Sequence, residues 1–221
     1  SFFLIDYKGG SMANALRDLP HLCGMMTNLD EASLERVRLS LNRELTMRQE
    51  QFSRMMSKLS LSALSIERYQ QLRKASDPPL GHLFIIVDEF AQLREEHAEF
   101  LNELRRAARI GRSLGIHLLL CTQKPGGIID EQIRSNARFR ICMKVQSRED
   151  SLDMLHGDQA LALREPGEFI LQVGEEERCV KGRGAYVNAR YDPQPFRLIT
   201  ACPDLGKGRL HRGSFALAGK G

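Results

Sequence analysis

His82-Leu-Phe-Ile-Ile-Val-Asp-Glu89 decides the fold. Five apolar residues, β-branched and aromatic among them, stop at two carboxylates. A continuous apolar run of this length reads as a strand buried on both faces, because a half-exposed strand alternates. Phe90–Arg109 follows as a helix, with Leu93, Phe100, Leu104 and Ala108 on one stripe, ended by Gly111 and Gly115. His117–Thr122 is a second continuous apolar strand, and Gln123-Lys-Pro-Gly-Gly127 is a loop. Upstream, Ser1-Phe-Phe-Leu-Ile-Asp6 is a third strand of the same kind.

Strands of this character, alternating with helices, define an α/β fold: a mostly parallel sheet with helices on both faces. Such sheets bind ligands just beyond the carboxyl ends of their strands. Three strands carry polar groups there: Asp6, then Asp88-Glu89, then Thr122-Gln123.

The other elements follow from local signals. Tyr7-Lys-Gly-Gly10 breaks the first strand, and Ser11–Leu19 is a short helix stopped before Pro20. Asp30 caps a long helix whose face carries Leu34, Val37, Leu41 and Leu45. A second helical patch, Ile66–Leu72, ends before Asp77-Pro-Pro79. Ile128–Asn136 is a short helix and Arg140–Val145 a strand. Ser147, with Asp150 three residues on, opens a helix that runs to about His156. Glu168–Val173 is a strand that returns through an acidic turn as Arg178–Val180. From Tyr191 the pattern decays into Pro, Gly and basic residues. Residues 1–190 therefore read as one domain and 191–221 as a linker or tail.

Composition excludes several classes. With 221 residues, 42% apolar and 27% charged, the chain is neither disordered nor low-complexity. Net charge is +4, with both signs interspersed, which permits a nucleic-acid partner without requiring one. No apolar run approaches the roughly 18–20 residues of a membrane helix. The five cysteines include no C-x-x-C pair, so neither a zinc site nor a disulfide framework is indicated.

Two readings of Asp88-Glu89 stand side by side. Two acids directly after a buried strand are costly to bury unless they bind something. In phosphoryl-transfer ATPases the first such acid holds the magnesium shell and the second polarises the attacking water. The plainer reading is a helix N-terminus favouring acids. Thr122-Gln123, one βα unit later, is either a strand end or a contact to a γ-phosphate and its water. Arg109 and Arg112 either complement a helix C-terminus or form an arginine finger entering a neighbouring subunit's site. Lys8-Gly9-Gly10 has backbone amides that suit phosphate but is too short for a phosphate loop. The pattern G-x-x-x-x-G-K-[ST] occurs nowhere in the chain. Phe2–Asp6 reads as the second strand of a P-loop domain, so the phosphate loop either belongs to a segment before it or is absent.

Taken together, these residues resemble the FtsK/SpoIIIE class of motor ATPases, and most closely the EssC/EccC ATPases of bacterial type VII secretion. The carriers are Asp6-Tyr-Lys-Gly-Gly-Ser-Met-Ala-Asn14, Leu19-Pro-His21, Thr27-Asn-Leu-Asp30 and Val87-Asp-Glu-Phe-Ala91. Ala108-Arg-Ile-Gly-Arg-Ser-Leu-Gly-Ile-His117 and Cys121-Thr-Gln-Lys-Pro125 continue the set, and the likeness runs over about residues 2–190. It implies a RecA-like P-loop NTPase core, ATP with Mg2+, and assembly into a ring, expected as a hexamer. By motif position it implies Asp88 as the metal-side acid and Glu89 as the catalytic acid. Gln123 with Thr122 is then the sensor, and Arg112, with Arg109 second, the finger. Asp6 and Lys8 line the phosphate side.

The implied setting is the first ATPase module of a membrane-anchored secretion protein, a soluble domain on the cytoplasmic side of the bacterial membrane. Its implied partners are adjacent ATPase modules of the same polypeptide, the membrane secretion complex, and small helical-hairpin proteins as exported substrates. Whether ATP is turned over stays open without the phosphate loop. The alternatives are a non-hydrolysing regulatory or substrate-binding module, and a DNA translocase. DNA is not an expected partner, since aromatics for base stacking make up only 6% of the chain.

Overall fold

The computed structural model describes residues 1–7, 16–27, 30–127, 131–174 and 178–185. Lys8, most of the expected helix at 11–19, the start of the one expected at 128–136, and the expected tail at 191–221 lie outside them. Strands β1 (Phe2–Asp6), β2 (Leu22–Met26), β3 (Leu83–Asp88) and β4 (Ile116–Leu120) form one sheet in the order β2-β1-β3-β4. All its pairings are parallel. Parallel neighbours need long crossovers, and helices α1 (Glu31–Leu59), α2 (Ile66–Leu72), α3 (Phe90–Glu96) and α4 (Ala98–Gly111) supply those that lead into β3 and β4. Ile5, Ile85 and Val87 from one face of the sheet join Leu45, Phe52, Tyr69, Leu93, Leu101 and Leu104 of these helices in a single apolar core. On the other face Phe84 and Leu119 each keep 45% of their surface exposed. Leu4, on that same face, is fully buried.

Local chemistry explains the helices. The Asp30 side chain accepts from Ser33 N at 2.7 Å and caps α1, whose buried stripe is Leu34, Leu41, Leu45, Phe52 and Met55. Ser65 caps α2 in the same way. Arg48, 5% exposed, carries a charge into the core because every donor direction it uses is met. Its Nε reaches Glu44 at 2.7 Å, and Nη1 reaches the carbonyls of Gly81 and Leu114 at 2.8 and 2.7 Å.

Two elements depart from the sequence reading. The single helix expected over Phe90–Arg109 is two, broken at His97 with φ −138 and ψ 53. His97 N still donates to Leu93 O, and Leu101 N to His97 O, so the chain turns without orphaning these groups. The bend lets Leu93, Leu101 and Leu104 all reach 1% exposure or less. The second departure is β2, Leu22-Cys-Gly-Met-Met26, which has weak strand propensity and was not expected. It becomes a strand because β1 offers a paired edge. Gly24 lets it in: a Cβ there would stand 2.6 Å from the Phe3 ring.

Beyond short helix α5 (Glu131–Asn136), β5 (Phe139–Met143), β6 (Glu168–Val173) and β7 (Arg178–Arg183) form a separate antiparallel sheet, β5-β6-β7. This part of the sheet system is therefore not parallel. Ser147 caps α6 (Arg148–Leu155), as expected. Cys142, Leu155, Leu163 and Ile170 make a small second core. The opposite face of β5 presents Phe139, Ile141 and Met143, each more than half exposed. Among the described residues β4 and β5 are each the end strand of their sheet.

Candidate functional site

The carboxyl ends of β1, β3 and β4 lie side by side because these strands are consecutive in the sheet. Asp6 and Asp88 are register partners in a parallel pair, so their side chains leave the same face. Asp6 is 1% exposed. Glu89 follows as the residue that turns strand into helix. Its φ of 57 and ψ of 59 lie in the left-handed region, which costs a non-glycine residue roughly 1–2 kcal/mol. The turn leaves Glu89 7% exposed.

A carboxylate this buried needs donors. Thr122 Oγ1 donates to Glu89 Oε1 at 2.7 Å, and Gln123 N lies 3.4 Å from both carboxylate oxygens. The end of β4 is bound to the same turn through its backbone. Cys121 N donates to Val87 O and Phe90 N donates to Cys121 O, each at 2.9 Å. Burial pushes the Cys121 thiol pKa up, and the Asp88 and Glu89 charges add to the effect.

Asp6, Asp88, Glu89, Thr122 and Gln123 therefore stand together at one edge of the sheet, and Lys8 lies outside the described residues. Arg109 and Arg112 are not among them. Both are exposed at the end of α4, where the chain re-enters the sheet from the opposite edge. There Arg112 O accepts from Gly115 N, and Gly115 O accepts from Leu83 N at the start of β3. The strand direction puts a full strand length between these arginines and Glu89 of the same chain.

Sequence reading missed one contact beside the site. The Tyr7 hydroxyl, directly after Asp6, donates to Glu96 Oε2 at the end of α3. Burial, with the Glu96 carboxylate second, pushes the Tyr7 pKa up to about 12. The partners are 89 residues apart, and no local pattern marks such a pair.

The donor set suits magnesium. Mg2+ is commonly held by one or two carboxylates together with phosphates and water, so a half-buried Asp88 beside Asp6 is a sufficient protein contribution. Among the described residues no group of three His, Cys, Asp or Glu side chains forms a metal cage.

A parallel sheet whose strand β3 ends in Asp-Glu, with a hydroxyl from beyond the next strand holding the glutamate, is a RecA-like α/β core. The chain belongs to the FtsK/SpoIIIE family, whose model matches residues 1–127. Within that family it is similar to type VII secretion proteins. It is 45% identical over 200 residues to the type VII secretion system protein EssC of Staphylococcus aureus (strain Mu50 / ATCC 700699), covering 90% of this chain and 13% of EssC. It is 46% identical over 195 residues to the ESX secretion system protein EccC of Geobacillus thermodenitrificans, covering 86% of this chain and 13% of that protein. The cytoplasmic domain of the Thermomonospora curvata type VII secretion ATPase EccC matches with a TM-score of 0.71 at 30% identity, covering 87% of this chain and 22% of that one. The chain thus spans 13% of the length of these two curated relatives.

Proposed function

We propose that this chain is part of an ATP-hydrolysing motor module of a type VII secretion protein, and that the edge around Glu89 is its catalytic centre. The observation that carries the reading is the buried Glu89 carboxylate, gripped by Thr122 and Gln123 from the neighbouring strand. Burying an acid in a left-handed turn costs free energy twice over, and a site where that acid acts on substrate explains the expense.

In this reading Asp88, with Asp6 beside it, holds Mg2+, which would neutralise charge developing on the phosphates. Glu89 orients and polarises the attacking water, and its own orientation is set by the Thr122 hydroxyl and the Gln123 amide. Gln123 extends past the strand end as the sensor of the γ-phosphate. Lys8 adds positive charge on the phosphate side. Arg112, with Arg109 second, acts on the site of a neighbouring copy. Their place at the opposite sheet edge supports action in trans, because a ring apposes unlike edges of successive subunits.

A phosphate loop carried on another segment completes the domain formed by residues 1–190. The end strands β4 and β5, and the exposed Phe84, Leu119, Phe139, Ile141 and Met143, support this reading as surfaces such a segment would cover. The same reading places the module on the cytoplasmic side of the membrane, in a hexameric ring. There it exports small helical-hairpin proteins, with 191–221 as a linker or tail.

The test is ATP turnover by the full-length protein with Glu89→Gln. Loss of hydrolysis with nucleotide binding retained is expected, and unchanged turnover sinks the catalytic assignment. The absence of G-x-x-x-x-G-K-[ST] from these residues favours a second reading, a regulatory module that does not hydrolyse ATP. Failure of the full-length module to bind ATP in calorimetry would establish that alternative.

A further inference from the structure

Helix α6 reaches back to the candidate site. Gly126 N donates to Asp150 Oδ1 and Gly127 N to Asp153 Oδ2, each at 3.1 Å. These two glycines end the loop that begins with Gln123. One end of the loop is therefore held by Glu89, through the Gln123 amide, and the other by two carboxylates of α6. Only Lys124 and Pro125 lie between. Pro125 is buried and has a fixed φ, and Lys124 N donates to Thr122 Oγ1 at 3.2 Å, so the link between the two anchors is short and stiff.

Asp150 is built for both tasks. Its Oδ2 accepts from Ser147 Oγ at 2.7 Å while its backbone N donates to the same Oγ at 3.0 Å, closing the cap of α6. That leaves Oδ1 for the loop. The approach favours glycine: a Cβ on Gly126 would stand 2.9 Å from Asp150 Oδ1 and push that side chain aside, and Gly127 has φ +71. At its other end α6 is anchored by Leu155 in the small core with Cys142 of β5.

We infer that Asp150 and Asp153 are positioning residues for the hydrolytic site: through Gly126 and Gly127 they set the 123–127 loop, and so the Thr122 and Gln123 groups that aim the Glu89 carboxylate. The three-stranded sheet and its helix thereby become the frame that holds the catalytic acid in register. This rests on the proposed hydrolytic role of Glu89.

The experiment uses the full-length protein, with ATP as the probe. Asp150→Ala/Asp153→Ala is expected to lower kcat about tenfold or more, since misplacement by an ångström costs up to about 10²-fold, while ATP affinity stays within about twofold. Asn at both positions keeps a side-chain oxygen for each glycine N–H and is expected to restore kcat. Gly126→Ala leaves both aspartates and α6 in place, and is expected to lower kcat in the same direction, so the proposal survives a double variant that fails to fold. Wild-type kcat in the double variant or in Gly126→Ala, with Glu89→Gln inactive, overturns the positioning role alone. Equal loss in the Ala and Asn variants, or affinity falling in step with kcat, also overturns it. Turnover insensitive to Glu89→Gln overturns the hydrolytic reading, and this inference with it.

Discussion

Thr122 Oγ1 donates to Glu89 Oε1 at 2.7 Å, across 33 residues of sequence and one strand of the sheet. The hydroxyl is the shortest of the contacts that reach this carboxylate from β4 and its loop. Thr122→Val keeps the shape and removes the shortest of these donors from a carboxylate whose residue is 7% exposed. A stability loss of about 1–3 kcal/mol is expected in urea denaturation, with Thr122→Ser close to wild type. Equal stability of the Val and Thr forms would show that the hydroxyl does not hold Glu89.

Arg48 joins α1 to two loops at the amino edge of the sheet. Arg48→Met fills the same space but removes the donors to the carbonyls of Gly81 and Leu114 and to the Glu44 carboxylate, of which the Leu114 contact is buried. Removing one partner of a buried network costs about 3 kcal/mol or more, and Arg48→Lys should fall between, lacking the planar fork. Equilibrium unfolding midpoints decide it, and a loss below about 1 kcal/mol would contradict the clamp.

Glu168 gives the antiparallel sheet an acid-sensitive contact. The Lys181 ammonium at 2.8 Å, then the amides of Arg164 and Glu165, pull its pKa from 4.5 down to about 2. A depressed carboxylate stabilises the fold above the unfolded pKa, and the contribution drains away as pH falls from about 5 towards 2. Glu168→Gln should flatten that part of the stability–pH curve and leave its neutral limb parallel to wild type. Chemical denaturation at a series of pH values is the measurement.

His82 and His117 share a hydrogen bond of 2.9 Å between Nδ1 and Nε2, stacked beside Phe84. The bond needs at least one neutral ring. Burial first, and then the His82 charge, hold the His117 pKa below 6.5, with Glu67 pulling the other way. Because the folded state resists protonation more than the unfolded chain, stability is full above about pH 6.5 and falls as pH drops through the range below it. His117→Gln should remove that slope, and an unchanged slope between pH 7 and 5 would refute it.

Much of the candidate site is legible in the chain because its ingredients are local. Asp88 and Glu89 follow five apolar residues, and a buried parallel strand must end where polarity begins. Glu168–Val173 and the Ser147 cap are likewise local patterns, found where expected. The break at His97 and the strand Leu22–Met26 are not legible, since each answers a demand made elsewhere: two apolar stripes to bury, and an open edge beside β1.

The residues by themselves determined that three apolar strands end in Asp6, Asp88-Glu89 and Thr122-Gln123, because burial on both faces of a parallel sheet writes itself as unbroken hydrophobicity. Only the tertiary structure decided that β1, β3 and β4 are neighbours, that Glu89 turns left-handed into the grip of Thr122, and that Asp150 and Asp153 hold the loop beside it. Strand order and long-range hydrogen bonds depend on which surfaces pack against which, and a linear pattern of apolar and polar residues does not carry that information.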